Sequence, residues 1–130
     1  MTDKIASYRD LIVWQQAMDL TVAIYQVTRT WPKDEIYGLT GQVRRAATSV
    51  PANIAEGYGR ESRASYQQFL RIAQGSLKEL ETHLLIAQRV GITSREAVES
   101  LMPHSESVGK LLPLLIRKPA AHYTPTALLP

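Results

Sequence analysis

The chain has 130 residues, 45% hydrophobic and 21% charged, which is the size of one ordinary domain and too short for two independent cores. It has no cysteine, which excludes a disulfide framework and any thiolate site. Its start, MTDKIASYRD, has no apolar signal core, and no run approaches the ~20 apolar residues of a membrane span, so a soluble cytoplasmic protein is expected. With 7% aromatic residues and a single Phe, a core must come from Leu, Ile, Val, Ala and Met, which favours helix-on-helix layers over a β-sandwich. The net charge of +3 permits an anionic partner, and it is concentrated: between residues 38 and 75, Arg44, Arg45, Arg60, Arg63 and Arg71 are opposed only by Glu56 and Glu61.

From Arg9 to Thr30, Trp14, Met18, Thr21, Tyr25 and Thr28 recur by three and four, with Val13, Leu20 and Val27 as a second stripe beside them. Two adjoining stripes predict a helix with more to bury than one partner covers, met either by a bundle plus a subunit contact or by a two-sided intrachain core. Thr30-Trp31-Pro32 stops this helix, because a residue before proline is pushed out of the α region. Asp34 and Glu35 mark the start of a second helix, where negative charge suits the dipole. Its stripe is Ile36, Leu39, Val43, Ala46, Ala47, Val50 and Ile54. Pro51 removes the bond its N–H would make to the Ala47 carbonyl, yet the stripe continues in register, so one helix kinked at Pro51 is predicted. Gly57 and Gly59 end it, one of them in the left-handed conformation.

Ser62 is the expected N-cap of a third helix from Arg63 to Arg89, with Phe69, Ile72, Ala73, Ser76, Leu77, Leu80, Leu84 and Ala87 toward the core. At the standard rise it is about 40 Å long, which implies an extended bundle. Gly75 falls in its middle, at up to about 1 kcal/mol relative to Ala; either a neighbouring helix approaches closely there or the glycine is simply tolerated. Gly91 ends this helix, and Thr93 to Glu96 has capping-box spacing. The fourth helix carries Val98, Leu101, Met102, Val108, Leu111, Leu112 and Leu115, and Pro103 and Pro113 predict that it is bent or broken. Residues 119–130 hold three prolines and no period, so an extended or disordered tail is expected after a bundle domain spanning 1–118.

Chemistry is harder to find. His83, His104 and His122 share no ligand spacing, no HExxH or Glu-x-x-His pair is present, and Glu79 and Glu81 diverge around Leu80. The sequence GYGR at 57–60 lacks the lysine and hydroxyl of a phosphate loop. No catalytic residue, metal site or cofactor is therefore assigned, and an enzyme is disfavoured. Asn53 and Glu56 share a helix face and Glu56 can reach Arg60 at i+4; they form either a site beside Pro51 or a structural polar cluster repairing backbone groups left unpaired there. Arg44 and Arg45 diverge by about 100°, in polar lines with Thr40 and Thr48 and with Ser49 and Asn53. Arg44, Arg45, Arg60 and Arg63 are the candidate contacts to RNA or DNA; the alternative is a solvated face or ion pairs between subunits.

The runs Tyr37-Gly38-Leu39, Gln42-Val43-Arg44-Arg45-Ala46-Ala47, Ser49-Val50-Pro51-Ala52-Asn53-Ile54-Ala55-Glu56-Gly57 and Gly75-Ser76-Leu77-Lys78-Glu79-Leu80-Glu81-Thr82 resemble the bacterial four-helix bundle family associated with intervening sequences in 23S ribosomal RNA genes. Val13-Trp14-Gln15 and Trp31-Pro32 are similar to its first helix and that helix's end, so the resemblance covers about residues 8–91 in order. It implies an all-α, antiparallel up-down four-helix bundle that assembles as a homopentamer, with no established enzyme activity and a largely unknown role. The fold is similar to the accessory subunit of diversity-generating retroelements, thought to bind nucleic acid and a reverse transcriptase through a basic surface. That likeness implies the chain itself, a nucleic acid and such a protein as partners. Pro103, Pro113 and the segment LLPLLIRKPAAHYTPTALLP depart from the family pattern.

Overall fold

Local polar groups decide where this chain reverses. In a computed structural model that describes residues 5–118, a 3-10 turn at Tyr8–Asp10 leads into α1 (Ile12–Thr28), a second 3-10 turn at Lys33–Glu35 into α2 (Leu39–Tyr58), and α3 (Arg63–Arg89) and α4 (Arg95–Ile116) follow. The Ser62 hydroxyl accepts from the Ser65 N–H at 3.0 Å and caps α3, fixing the start of that helix where the sequence places it. Its other end closes on Gly91, at φ 83°, with the Ile92 N–H reaching the Ala87 carbonyl at 2.9 Å and the Gly91 N–H reaching Gln88 at 3.2 Å; this left-handed turn satisfies carbonyls the helix leaves over. The cap of α4 is Ser94, which accepts from the Ala97 N–H at 3.1 Å, one residue beyond the expected Thr93.

The helices form an antiparallel up-down four-helix bundle in which α1 packs on α2 and α4, and α3 on α2 and α4. Among the described residues there is no strand, and no helix is long and apolar enough to cross a membrane. The core runs through Val13, Ala17, Leu20 and Ile24 of α1, Val43, Ala47, Val50 and Ile54 of α2, Tyr66, Leu70, Ala73, Leu77, Leu80, Leu84 and Ala87 of α3, and Val98, Leu101, Val108, Leu112 and Ile116 of α4.

Several expectations are corrected. On α1 the buried line is Val13, Ala17, Leu20, Ile24 and Thr28, while Met18 and Tyr25 are exposed: small Ala17 lets the neighbouring helices close in on a stripe between the two that spacing suggests. The second helix begins at Leu39 and not at Asp34, because the Glu35 carboxylate takes the Leu39 N–H at 3.0 Å. Gly38 leaves room for that carboxylate, since a Cβ there would stand 2.7 Å from Glu35 Oε1. Ile36 is consequently outside the helix and exposed. Neither Gly57 nor Gly59 is left-handed; Gly57 is needed for contact, because a Cβ would come within 2.6 Å of Phe69 Cβ. On α3, Tyr66 and Leu70 join the core and Ile72 faces out. Gly75 has open space around it, so no helix among the described residues approaches there.

The prolines behave differently from one another. The α2 helix continues through Pro51, and the carbonyl that Pro51 leaves without its usual partner is met from α1: the Thr21 hydroxyl lies 3.1 Å from the Ala47 oxygen and 2.8 Å from Ala17. The fourth helix is not broken. It runs from Arg95 to Ile116 through Pro103 and Pro113. Each proline costs about 3 kcal/mol in a helix interior, and burying each of Val98, Leu101, Val108, Leu112 and Ile116 stabilises by about 1.5–3 kcal/mol, enough to hold the helix together. The predicted tail at 119–130 lies outside the described residues.

Every neighbouring pair of helices also shares a polar bond. Besides Thr21 with Ala47 (α1 to α2), the Ser49 and Ser76 hydroxyls meet at 2.7 Å (α2 to α3), Ser105 donates to the Glu81 carboxylate (α3 to α4), and Ser107 donates to the Gln16 side-chain oxygen (α4 to α1).

Candidate nucleic-acid interface

The four candidate arginines do not form one cluster. Arg44 is half-buried; its Nε donates to the Thr28 hydroxyl at 2.9 Å and its guanidinium lies 4.7 Å from the centre of the Tyr25 ring, so it fastens α2 to α1. At the far end of α2, Arg60 pairs with Glu56 at 2.9 Å and covers the Phe69 ring at 4.8 Å. Arg63 donates to the Ile116 carbonyl at 3.4 Å, where Gln67 also donates at 2.6 Å; together they satisfy the C-terminal end of α4. Arg45 is the exception. It is exposed, and among the described residues no hydrogen bond or ion pair holds its guanidinium.

Local sequence explains how Arg45 is placed. Gly41 lies one helical turn before it, and a Cβ on Gly41 would stand 3.1 Å from Arg45 Nη1. The bare backbone of that turn therefore seats the guanidinium, directing it toward the start of α2. Beside it runs a groove of about 450 Å³ between α2 and α3, lined by Gln42, Arg45, Ala46, Ser49, Ser76 and Glu79. The Asn53 amide donates to the Ser49 carbonyl at 2.8 Å and to its hydroxyl at 2.9 Å. Asn53 thus extends the Ser49–Ser76 link and belongs to the seam between α2 and α3, while Glu56 is engaged with Arg60. The two do not meet in one site.

On α3, His83 and Glu79 pair at 3.4 Å. A recess of about 170 Å³ between α1 and α4 holds Asp19, His104 and Ser107 with Gln16 and Pro103. The Ser107 hydroxyl donates to Gln16, so these residue types are not connected as a nucleophile with its base. Among the described residues no three acidic or histidine side chains group as a metal site.

The model of the 23S rRNA-intervening sequence protein family matches residues 9–113, which takes in α1, α2, α3 and most of α4. The chain belongs to the 23S rRNA-intervening sequence protein family. The bundle is also similar to the crystal structure of a protein with unknown function from the S23 ribosomal protein family of Bacteroides thetaiotaomicron VPI-5482. Identity is 28%, with 82% of this chain and 100% of that chain covered and a TM-score of 0.73. A search of curated proteins finds no match. In this member of the 23S rRNA-intervening sequence family, the sequence names Arg45 as a candidate but does not show the groove beside it. Gly41 four residues ahead is a legible signal for the seat, whereas Ser76 and Glu79 reach the groove only through the α2–α3 register.

Proposed function

We propose that this protein is a non-enzymatic, homo-oligomeric bundle that offers a basic surface to RNA or DNA. The observation that carries the reading is Arg45, an exposed guanidinium seated on Gly41 beside a polar groove, within the segment that holds the chain's positive excess. Such a surface acts by neutralising phosphates, so binding falls steeply with salt and shows little sequence preference. Assembly as a homopentamer, expected from the family resemblance, would repeat Arg45 around a ring and multiply a weak contact through effective concentration. Fluorescence anisotropy with short single- and double-stranded oligonucleotides tests the reading; no binding at low salt would end it.

A second reading is a protein-interaction scaffold, with a reverse transcriptase among the candidate partners. It is favoured by the outward line of α3, where Ile72, Ile86 and Val90 are exposed and Gly75 has no neighbour. Light scattering on Arg45→Glu separates the two: unchanged mass with lost oligonucleotide binding supports the first, and altered mass supports a subunit or partner contact.

A further inference from the structure

We propose that the nucleic acid taken at this surface is single-stranded, with an unpaired base stacked on Tyr37 and a neighbouring phosphate held by Arg45; this rests on the nucleic-acid reading above. Tyr37 is 94% exposed, against 64% for Ile12, the next most exposed large apolar side chain among the described residues. It stands in the turn just before α2. No ring contact, hydrogen bond or cation among the described residues engages it. Such a phenol ring adds nothing to the core and leaves both of its faces open.

Its position gives it a use. Tyr37 lies outside α2, so helical spacing does not place it, but a Cβ on Gly41 would stand 2.8 Å from the Ile36 carbonyl oxygen and 3.1 Å from Arg45 Nη1, which sets the guanidinium near the peptide that leads into Tyr37. A free aromatic face beside a free cation is the pairing used on single strands: the ring stacks on a base whatever its identity, and the cation tracks the backbone. Past Arg45 the groove continues with Gln42, Ser49 and Ser76. In the seam, Asn53 donates to the Ser49 oxygen and one serine hydroxyl donates to the other. That leaves one hydroxyl proton uncommitted for a sugar or phosphate oxygen. Glu79 on the α3 wall repels phosphate and confines the strand to the α2 side.

A duplex fits less well. Its stacked bases present no free face to Tyr37, and its affinity must come from many phosphates. Yet Arg44, Arg60 and Arg63 are each engaged within the fold.

The test uses the full chain with fluorescein-labelled oligo(dT), oligo(U) and a mixed-sequence duplex, each of about twelve nucleotides or base pairs, in anisotropy titrations at several salt concentrations. A single strand is expected to bind about tenfold or more tighter than duplex. Tyr37→Ala should weaken single-strand binding about tenfold and leave duplex binding unchanged, with Tyr37→Phe close to the parent. Arg45→Ala should reduce the salt slope on single strands by about 0.7. Circular dichroism checks that the variants fold. Equal affinity for both forms, or single-strand binding indifferent to Tyr37→Ala, overturns this inference and leaves the nucleic-acid reading standing; no binding to any of the probes overturns both.

Discussion

The two ends of the α2–α3 pair treat their arginines in opposite ways. Where the hairpin turns, Arg60 is held by Glu56 and Phe69, Arg63 closes the end of α4, and Gly57 lets Phe69 and Tyr66 press against the α2 backbone. At the other end, Arg45, seated on Gly41, and Tyr37, 94% exposed, are outside the packing. Charge alone therefore does not mark a binding surface, since a guanidinium already hydrogen-bonded inside the fold has less to offer a phosphate. What distinguishes the open end is a cation and an aromatic ring that the fold does not use.

That contrast can be broken most forcefully at Gly57. Gly57→Ala should destabilise the protein by about 1–3 kcal/mol through overpacking against Phe69 and Tyr66, seen as a lower urea midpoint. Next is Thr21→Val, which keeps the shape but strips the Ala47 carbonyl of its hydroxyl partner; a loss of about 1–2 kcal/mol is expected in urea denaturation. Gln67→Ala together with Arg63→Ala should cost about 1 kcal/mol by leaving the last carbonyl of α4 unmet, again read by denaturation and accompanied by faster amide exchange in the last turn of α4. Arg60→Ala removes an exposed pair and should change stability by less than about 0.5 kcal/mol. Smallest of all, Tyr37→Ala and Arg45→Ala should leave the denaturation midpoint within experimental scatter. A drop comparable to that of Gly57→Ala would mean that the open end is structural after all, and the contrast would disappear.

Much of the bundle is legible in the sequence because its punctuation is local. Ser62 and Gly91 announce the bounds of α3, and the hydrophobic line of α2 runs through Pro51 unchanged. The face of α1 is not legible in the same way. Two stripes compete there, and the choice falls to Ala17 and Ile24, whose burial depends on how closely two other helices approach. The fourth helix shows the same dependence, since local rules weigh Pro103 and Pro113 against continuity while the buried residues on both sides outweigh them. At the candidate site, adjacent arginines read alike in the sequence. Only the distant partners Thr28 and Tyr25 show that Arg44 is committed and Arg45 is not. Tyr37, between Ile36 and Gly38 with Leu39 next, reads as part of an apolar helix start until Glu35 moves that start past it.

The polar bonds between neighbouring helices bear on how such a surface can change over time. An oily interior alone tolerates sliding, because one leucine replaces another after a shift of a helical turn, about 5.4 Å. The Thr21, Ser49–Ser76, Ser105–Glu81 and Ser107–Gln16 links do not, since each has one matching partner at one height. They act as alignment keys that make the helix offsets discrete. Outward residues such as Tyr37 and Arg45 can then be exchanged without moving the frame, so descendants of one bundle can acquire different ligands while keeping the same geometry.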